Sequence, residues 1–209
     1  MSFEGVSYVT SVAPILTVSL NTFVRYYAMD TSKLVGEINR RMQQSGGYDF
    51  YRSLTDAIRA KIRGATEDEI QSILNNSSNL SEVSYNKAAY SIFVSKYGSK
   101  RGLAEFDKKG HVKLSNGELV VSVAPTFSVE TSTELSVFHI WAAQNPTMDR
   151  ARASVAVYLM GAAFKRSAPN YSYKLFDAVE GKTYSAMNNA TAQAVEIVAK
   201  NIVSLAKSS

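Results

Sequence analysis

Apolar positions recur every three or four residues through much of the first hundred residues, and the breaks fall on glycine or asparagine. Residues 31–44 set Leu34, Ile38 and Met42 on one helical stripe, stopped by Gly46 and Gly47. Residues 48–63 repeat the device with Leu54, Ile58 and Ile62 before Gly64. Thr66 with Glu67, Asp68 and Glu69 predicts a helix start: the Thr hydroxyl caps a free N–H, the acids suit the positive helix end, and Glu69 completes a capping box. Asn75 and Asn76 break that helix, and a further one is predicted from Ser81 to Tyr97, ending at Gly98.

The pattern changes after Asp107. Two β-like runs flank Asn116-Gly117, the strongest hairpin signal in the chain. TFSVE and LSVFHIWAA are candidates for additional strands, and Asn145-Pro146-Thr147 restarts helical structure. Residues 1–18 carry many β-branched residues and Pro14, which predict an extended arm packed on its own domain or on a neighbouring subunit. The expected fold is mainly α: an arm at 1–18, a helical lobe at 19–106, a small central β-hairpin insert at 107–145 and a helical C-terminal lobe at 146–209.

Composition narrows the picture. A chain of 209 residues with 45% hydrophobic and 20% charged residues is that of a folded domain, not a disordered one. Absence of cysteine removes disulfides, thiolate nucleophiles and Cys-ligated zinc together. The first charge is Glu4, which argues against a signal peptide, and no apolar run is long enough to span a membrane. A net charge of +5 favours polyanions, although a solvated basic surface is the commoner explanation of a charge of that size.

Catalytic chemistry finds little support. His139 lies in the apolar run VFHIW and reads as a satisfied buried imidazole, and His111 has no nucleophile at family spacing. VEGKTYS lacks the first glycine of a phosphate loop. No metal or cofactor is expected. The features that fit a nucleic acid are basic and aromatic. Arg52, Arg59 and Arg63 form one helical stripe, away from the apolar one, that could follow a phosphate backbone or simply face solvent. Lys96, Lys100 and Arg101 form a second basic patch. Tyr48 and Tyr51 lie among Arg25, Arg40, Arg41 and Arg52, an interleaving that suits stacked bases and held phosphates, with core filling the competing explanation.

The last third has a further order: RARASVAVYLMGAAFKR, then YSYKLFDAVEG, then ATAQAVEIVAKNIVSLAK. It resembles the C-terminal core shared by coat proteins of potexvirus-, potyvirus- and closterovirus-type flexible RNA filaments. That resemblance implies a mostly helical protomer holding single-stranded RNA in a basic groove, with terminal arms docked on neighbours in a helical filament. It also implies a core ion pair between Asp177 and Arg150 or Arg152, and a location in the virion and the host cytoplasm. The expected function is therefore a structural, self-assembling coat protein that packages single-stranded RNA through sequence-independent phosphate contacts, with no membrane partner. The alternative is a basic cellular or phage protein-interaction module without catalytic activity, and an enzyme stands third.

Overall fold

The computed structural model describes residues 13–43, 49–167, 170–185 and 190–209. A short strand, β1 (Leu16–Ser19), leads into α1 (Leu20–Tyr27), where the Ser19 side chain accepts from the Thr22 N–H as an N-cap. Four helices follow: α2 (Thr31–Gln43), α3 (Arg52–Ile62), α4 (Glu67–Leu74) and α5 (Leu80–Tyr97). The capping box at Thr66 and Glu69 is formed in both directions, as the spacing predicts. Next come β2 (Leu103–Glu105), β3 (Gly110–Leu114), β4 (Leu119–Val123), β5 (Phe127–Glu130) and β6 (Leu135–Trp141). Helix α6 (Arg150–Phe164), strands β7 (Ser172–Asp177) and β8 (Lys182–Tyr184), and α7 (Thr191–Lys207) complete the chain.

Two sheets organise these elements. The smaller has the order β1-β4-β3, and the larger has the order β2-β5-β6-β7-β8. The Asn116-Gly117 hairpin is present: Leu114 pairs with Leu119 across a loop in which Asn116 and Gly117 both take positive φ, at 57° and 90°. Gly102, also at positive φ, starts β2, and a side chain there would collide with the Glu130 carbonyl of β5.

The larger sheet is covered on both faces. On one face Phe127, Phe138, Ile140 and Phe176 meet Leu54, Ile58, Ile70, Leu74 and Phe93 from α3, α4 and α5. Phe127 stacks on Phe138 with ring centroids 4.6 Å apart, and Tyr97 lies 5.0 to 5.2 Å from the rings of Phe127, Phe138 and Phe176. On the other face Val137, Trp141 and Leu175 join α1, α6, α7 and the small sheet in a second apolar cluster. Helix α6 runs through that cluster with apolar residues on every side, including Val155, Ala156, Leu159 and Met160.

The architecture is α+β, with seven helices and eight strands in two sheets among the described residues, and the expectation of a mainly α fold with one small hairpin insert is corrected. The lobes read along the sequence share one sheet: β2 falls in the first helical lobe, while β7 and β8 fall in the second. The physical reason lies in β6, where six of seven residues are buried because both faces are covered. A strand of that kind shows a continuous apolar run instead of alternation, and its parallel partner β7 arrives only after the α6 crossover. The extended arm is also partly reassigned. Leu16 and Val18 are buried in this chain's own core, and β1 pairs parallel with β4. The rest of the arm up to residue 12 lies outside the described residues.

Candidate nucleic-acid interface

At the seam between the two apolar clusters lies a cleft of about 700 Å³. Helix α1 supplies Asn21, Thr22 and Arg25 on one side, and Tyr51, the N-cap of α3, supplies the other together with Leu54 in the first turn of that helix and Arg59 in its last. The end of β6 passes underneath as His139, Ile140 and Trp141, while Arg41 and Lys109 sit at the margin. The floor is buried: Leu54, Thr126, Ile140 and Trp141 are all less than a tenth exposed. The margin is open, because Arg25 and Lys109 are exposed and Arg41 is half-buried. This is a basic rim over a largely apolar floor. Phe50 and Tyr51 form an edge-to-face pair 5.0 Å apart at the wall, and Tyr85 lies 6.2 Å from Phe50.

Charge in the cleft is unbalanced. Arg25, Arg41 and Lys109 form no ion pair with a described carboxylate, and among the described residues Arg41 donates a hydrogen bond only to the Thr17 carbonyl, at 3.4 Å. Asp49 is the one acidic residue among the described lining. Burial pushes the Tyr51 hydroxyl above its ordinary pKa, and the nearby Arg25 charge pulls it back. No group of three metal-ligating side chains occurs among the described residues.

His139 is fixed at the floor by two contacts. Its Nδ1 lies 3.2 Å from the Ala124 carbonyl, and its Nε2 lies 2.8 Å from Asn21 Oδ1. Burial drives its pKa down to about 4, so the ring is neutral at pH 7 and carries one proton. Both partners are carbonyl oxygens that only accept, so the single proton serves one contact at a time, on Nδ1 toward Ala124 or on Nε2 toward Asn21. This satisfies the expectation of a hydrogen-bonded buried imidazole. It also has a pH consequence. The folded pKa lies below the ordinary 6.5, so the unfolded chain takes up the proton first as pH falls. Stability is full above about pH 6.5 and declines toward pH 4, by about 3 kcal/mol from this group. Urea titrations from pH 7 to 4 should show that decline shrinking in His139→Gln. An equal decline in the variant would show that the imidazole is not the source.

The expected arginine stripe is present on α3 but largely neutralised. Arg59 Nε lies 3.2 Å from Glu105 Oε1, off the hydrogen-bonding direction, and Arg63 donates to Glu105 Oε2 at 2.9 Å. Arg52 is 3.7 Å from Asp56 and mostly exposed. Only Arg59 of the three lines the cleft. Lys96 donates to the Gly181 carbonyl and lies 5.8 Å from the Phe176 ring centre, so it closes the β7–β8 turn. Lys100 and Arg101 are exposed in the turn after α5 and are not among the cleft residues. Tyr51 lines the cleft, whereas Tyr48 lies outside the described residues. Arg25, Arg41, Lys109 and Asn21 join the site only in three dimensions. The signal that could have found them was the tyrosine-arginine interleaving around Arg25 and Arg41.

The core ion pair is a correction. Asp177 is 1% exposed, yet its carboxylate accepts from the Val179 and Glu180 N–H groups at 2.9 and 3.3 Å, which closes the β7–β8 turn. Burial raises its pKa, and those N–H groups with the Lys182 charge act the other way. Arg152 instead binds Asp149, the N-cap of its own helix, and the Thr147 carbonyl, each at 2.7 Å. Arg150 is exposed at the start of α6. Asp177→Ala should therefore cost about 1–3 kcal/mol through stranded backbone donors, with Asp177→Asn close to wild type. A much larger loss in the Asn variant, measured by urea unfolding, would mean the charge itself is required.

A second cavity of about 610 Å³ lies between the starts of α6 and α7. Its described lining has a single cation, Arg150. No helix among the described residues is long and apolar enough to cross a membrane. No protein-family model and no curated protein matches the chain. A solved crystal structure, of the protein SSO0001, overlaps 84% of this chain and 85% of its own at 12% identity and a TM-score of 0.34, an overlap too slight to define either fold or function.

Proposed function

We propose that this chain is a non-catalytic protein that binds single-stranded RNA, with its phosphates held at the rim of the cleft between α1 and α3. The observation that carries the reading is the set of three cations, Arg25, Arg41 and Lys109, unpaired with described carboxylates over a buried apolar floor flanked by Tyr51. Phosphate contacts supply sequence-independent affinity, and an aromatic wall accepts the face of any base. A duplex would present its bases already stacked, so an apolar floor favours an unpaired strand. His139 is buried between the Ala124 carbonyl and Asn21 Oδ1 with its pKa pushed down to about 4, which supports a structural part for it over acid–base work.

Coat assembly rests on the motif likeness alone, since the mostly helical protomer and the Arg–Asp core pair that it implied are replaced by a different arrangement. Size-exclusion chromatography with light scattering, with and without RNA, decides the assembly question. For RNA binding, photo-crosslinking to oligonucleotides carrying 4-thiouridine should label the peptide containing Phe50 and Tyr51. Crosslinks confined to peptides remote from the cleft would remove it as the binding site.

A further inference from the structure

Resting on the RNA reading, we infer that the bound strand leaves the cleft over α5, where Tyr85 is a second stacking platform for the base next to the one at Tyr51. The aromatic wall does not end at the cleft. Phe50 lines the cleft and stands between two tyrosines, with ring centres 5.0 Å from Tyr51 and 6.2 Å from Tyr85. Tyr85 is 45% exposed, and every other aromatic side chain among the described residues is buried or half-buried. The Tyr85 ring therefore adds little to either apolar cluster, and it belongs to neither. What it does is extend the Tyr51–Phe50 wall onto the surface.

Helix α5 contributes no residue to the cleft itself, but it is tied to the wall next to this tyrosine. Asn86 is fully buried, and its Nδ2 donates to the Phe50 carbonyl and to Ser53 Oγ, each at 2.8 Å. A carbonyl only accepts, so the contact with Phe50 sets which end of the amide faces the wall. These bonds join the second turn of α5 to the start of α3 and keep Tyr85 beside Phe50. An aromatic ring takes a base of any identity, because every base has a π-face, so the platform suits sequence-independent binding. The contact is also uncharged. It adds affinity without adding to the salt dependence that the rim cations create.

The test is fluorescence anisotropy with two labelled ribose-phosphate decamers, U10 and a fully abasic strand, at several low salt concentrations. Tyr85→Ala should weaken U10 binding about tenfold, in line with one lost base stack, with the slope of log K against log salt unchanged. Tyr85→Phe, which keeps the ring, should bind U10 within about twofold of wild type. The abasic decamer, which offers phosphates and no bases, should bind wild type and Tyr85→Ala equally. That comparison also shows that the variant retains its fold and its rim. Unchanged U10 affinity in Tyr85→Ala overturns the inference, as does an equal loss on the abasic strand or a loss that Tyr85→Phe shares. Those outcomes leave RNA binding by the cleft standing. Absence of wild-type binding to U10 removes the RNA reading and this inference together.

Discussion

Replacing Arg25, Arg41 and Lys109 together by alanine should weaken single-stranded RNA binding on the order of a hundredfold or more at low salt. Arg25 and Lys109 are exposed and Arg41 is half-buried, and a hydrogen bond from such a cation to a phosphate is worth about 1–1.5 kcal/mol at a solvated rim. Three such contacts exceed the roughly 2.8 kcal/mol that a hundredfold change requires. The slope of log K against log salt should fall by about 2, because each lost phosphate contact removes about 0.7 on a single strand. The fold should be nearly unaffected, since the one described polar bond at stake is from Arg41 to the Thr17 carbonyl, at 3.4 Å. Arg52→Ala is the matched control, an exposed arginine outside the cleft beside Asp56. Equal losses in the control and the triple variant would show a diffuse charge effect in place of a site.

Phe127→Ala should be among the most destabilising single changes, at about 3–5 kcal/mol. The ring is fully buried, stacks on Phe138 at 4.6 Å, and meets Phe93 and Tyr97 at 5.2 and 5.0 Å. Its removal opens a cavity between the larger sheet and α5, where aromatic neighbours cannot collapse without leaving their own contacts. Against a typical domain stability of about 5–15 kcal/mol this is a large share. Leu80→Ala is the counterpart: Leu80 is 82% exposed and should change stability by no more than about 0.5 kcal/mol. Urea unfolding followed by circular dichroism compares the two. A cost under 1 kcal/mol at Phe127 would mean that α5 does not pack on the sheet as described.

The helices from α2 to α5 were legible because each has a local signature. Leu34 and Ile38, then Leu54 and Ile58, fall on buried stripes, and Thr66 with Glu69 marks a start that needs no tertiary information. Met42, expected on the first stripe, is 43% exposed because α2 has run past the core by that turn. The Asn116-Gly117 hairpin was legible for the same local reason. The larger sheet was not. Its partners β6 and β7 are separated by a whole helix, and β6 is covered on both faces, so neither proximity nor alternation announces the pairing.

The site divides in the same way. Tyr51 and the neighbourhood of Arg25 and Arg41 stood out as basic-aromatic sequence, and His139 read correctly as a satisfied buried imidazole. What sequence could not show is which cations have acidic neighbours. Glu105, 42 residues beyond Arg63, binds that arginine and lies beside Arg59, and it left no trace in the spacing of the stripe. Asp177 likewise looked like the partner of a distant arginine, whereas its ligands are the two N–H groups of the turn that immediately follows it.

The most direct measurement is a titration of the wild-type protein with a labelled single-stranded RNA of ten nucleotides at several salt concentrations. Three rim cations on three phosphates give a slope of log K against log salt near −2. Binding at low salt that weakens with that slope, together with a clear disadvantage for the same sequence in duplex form, is the expected result. No binding at the lowest salt, or equal binding to duplex and single strand, would contradict single-stranded RNA recognition by this cleft.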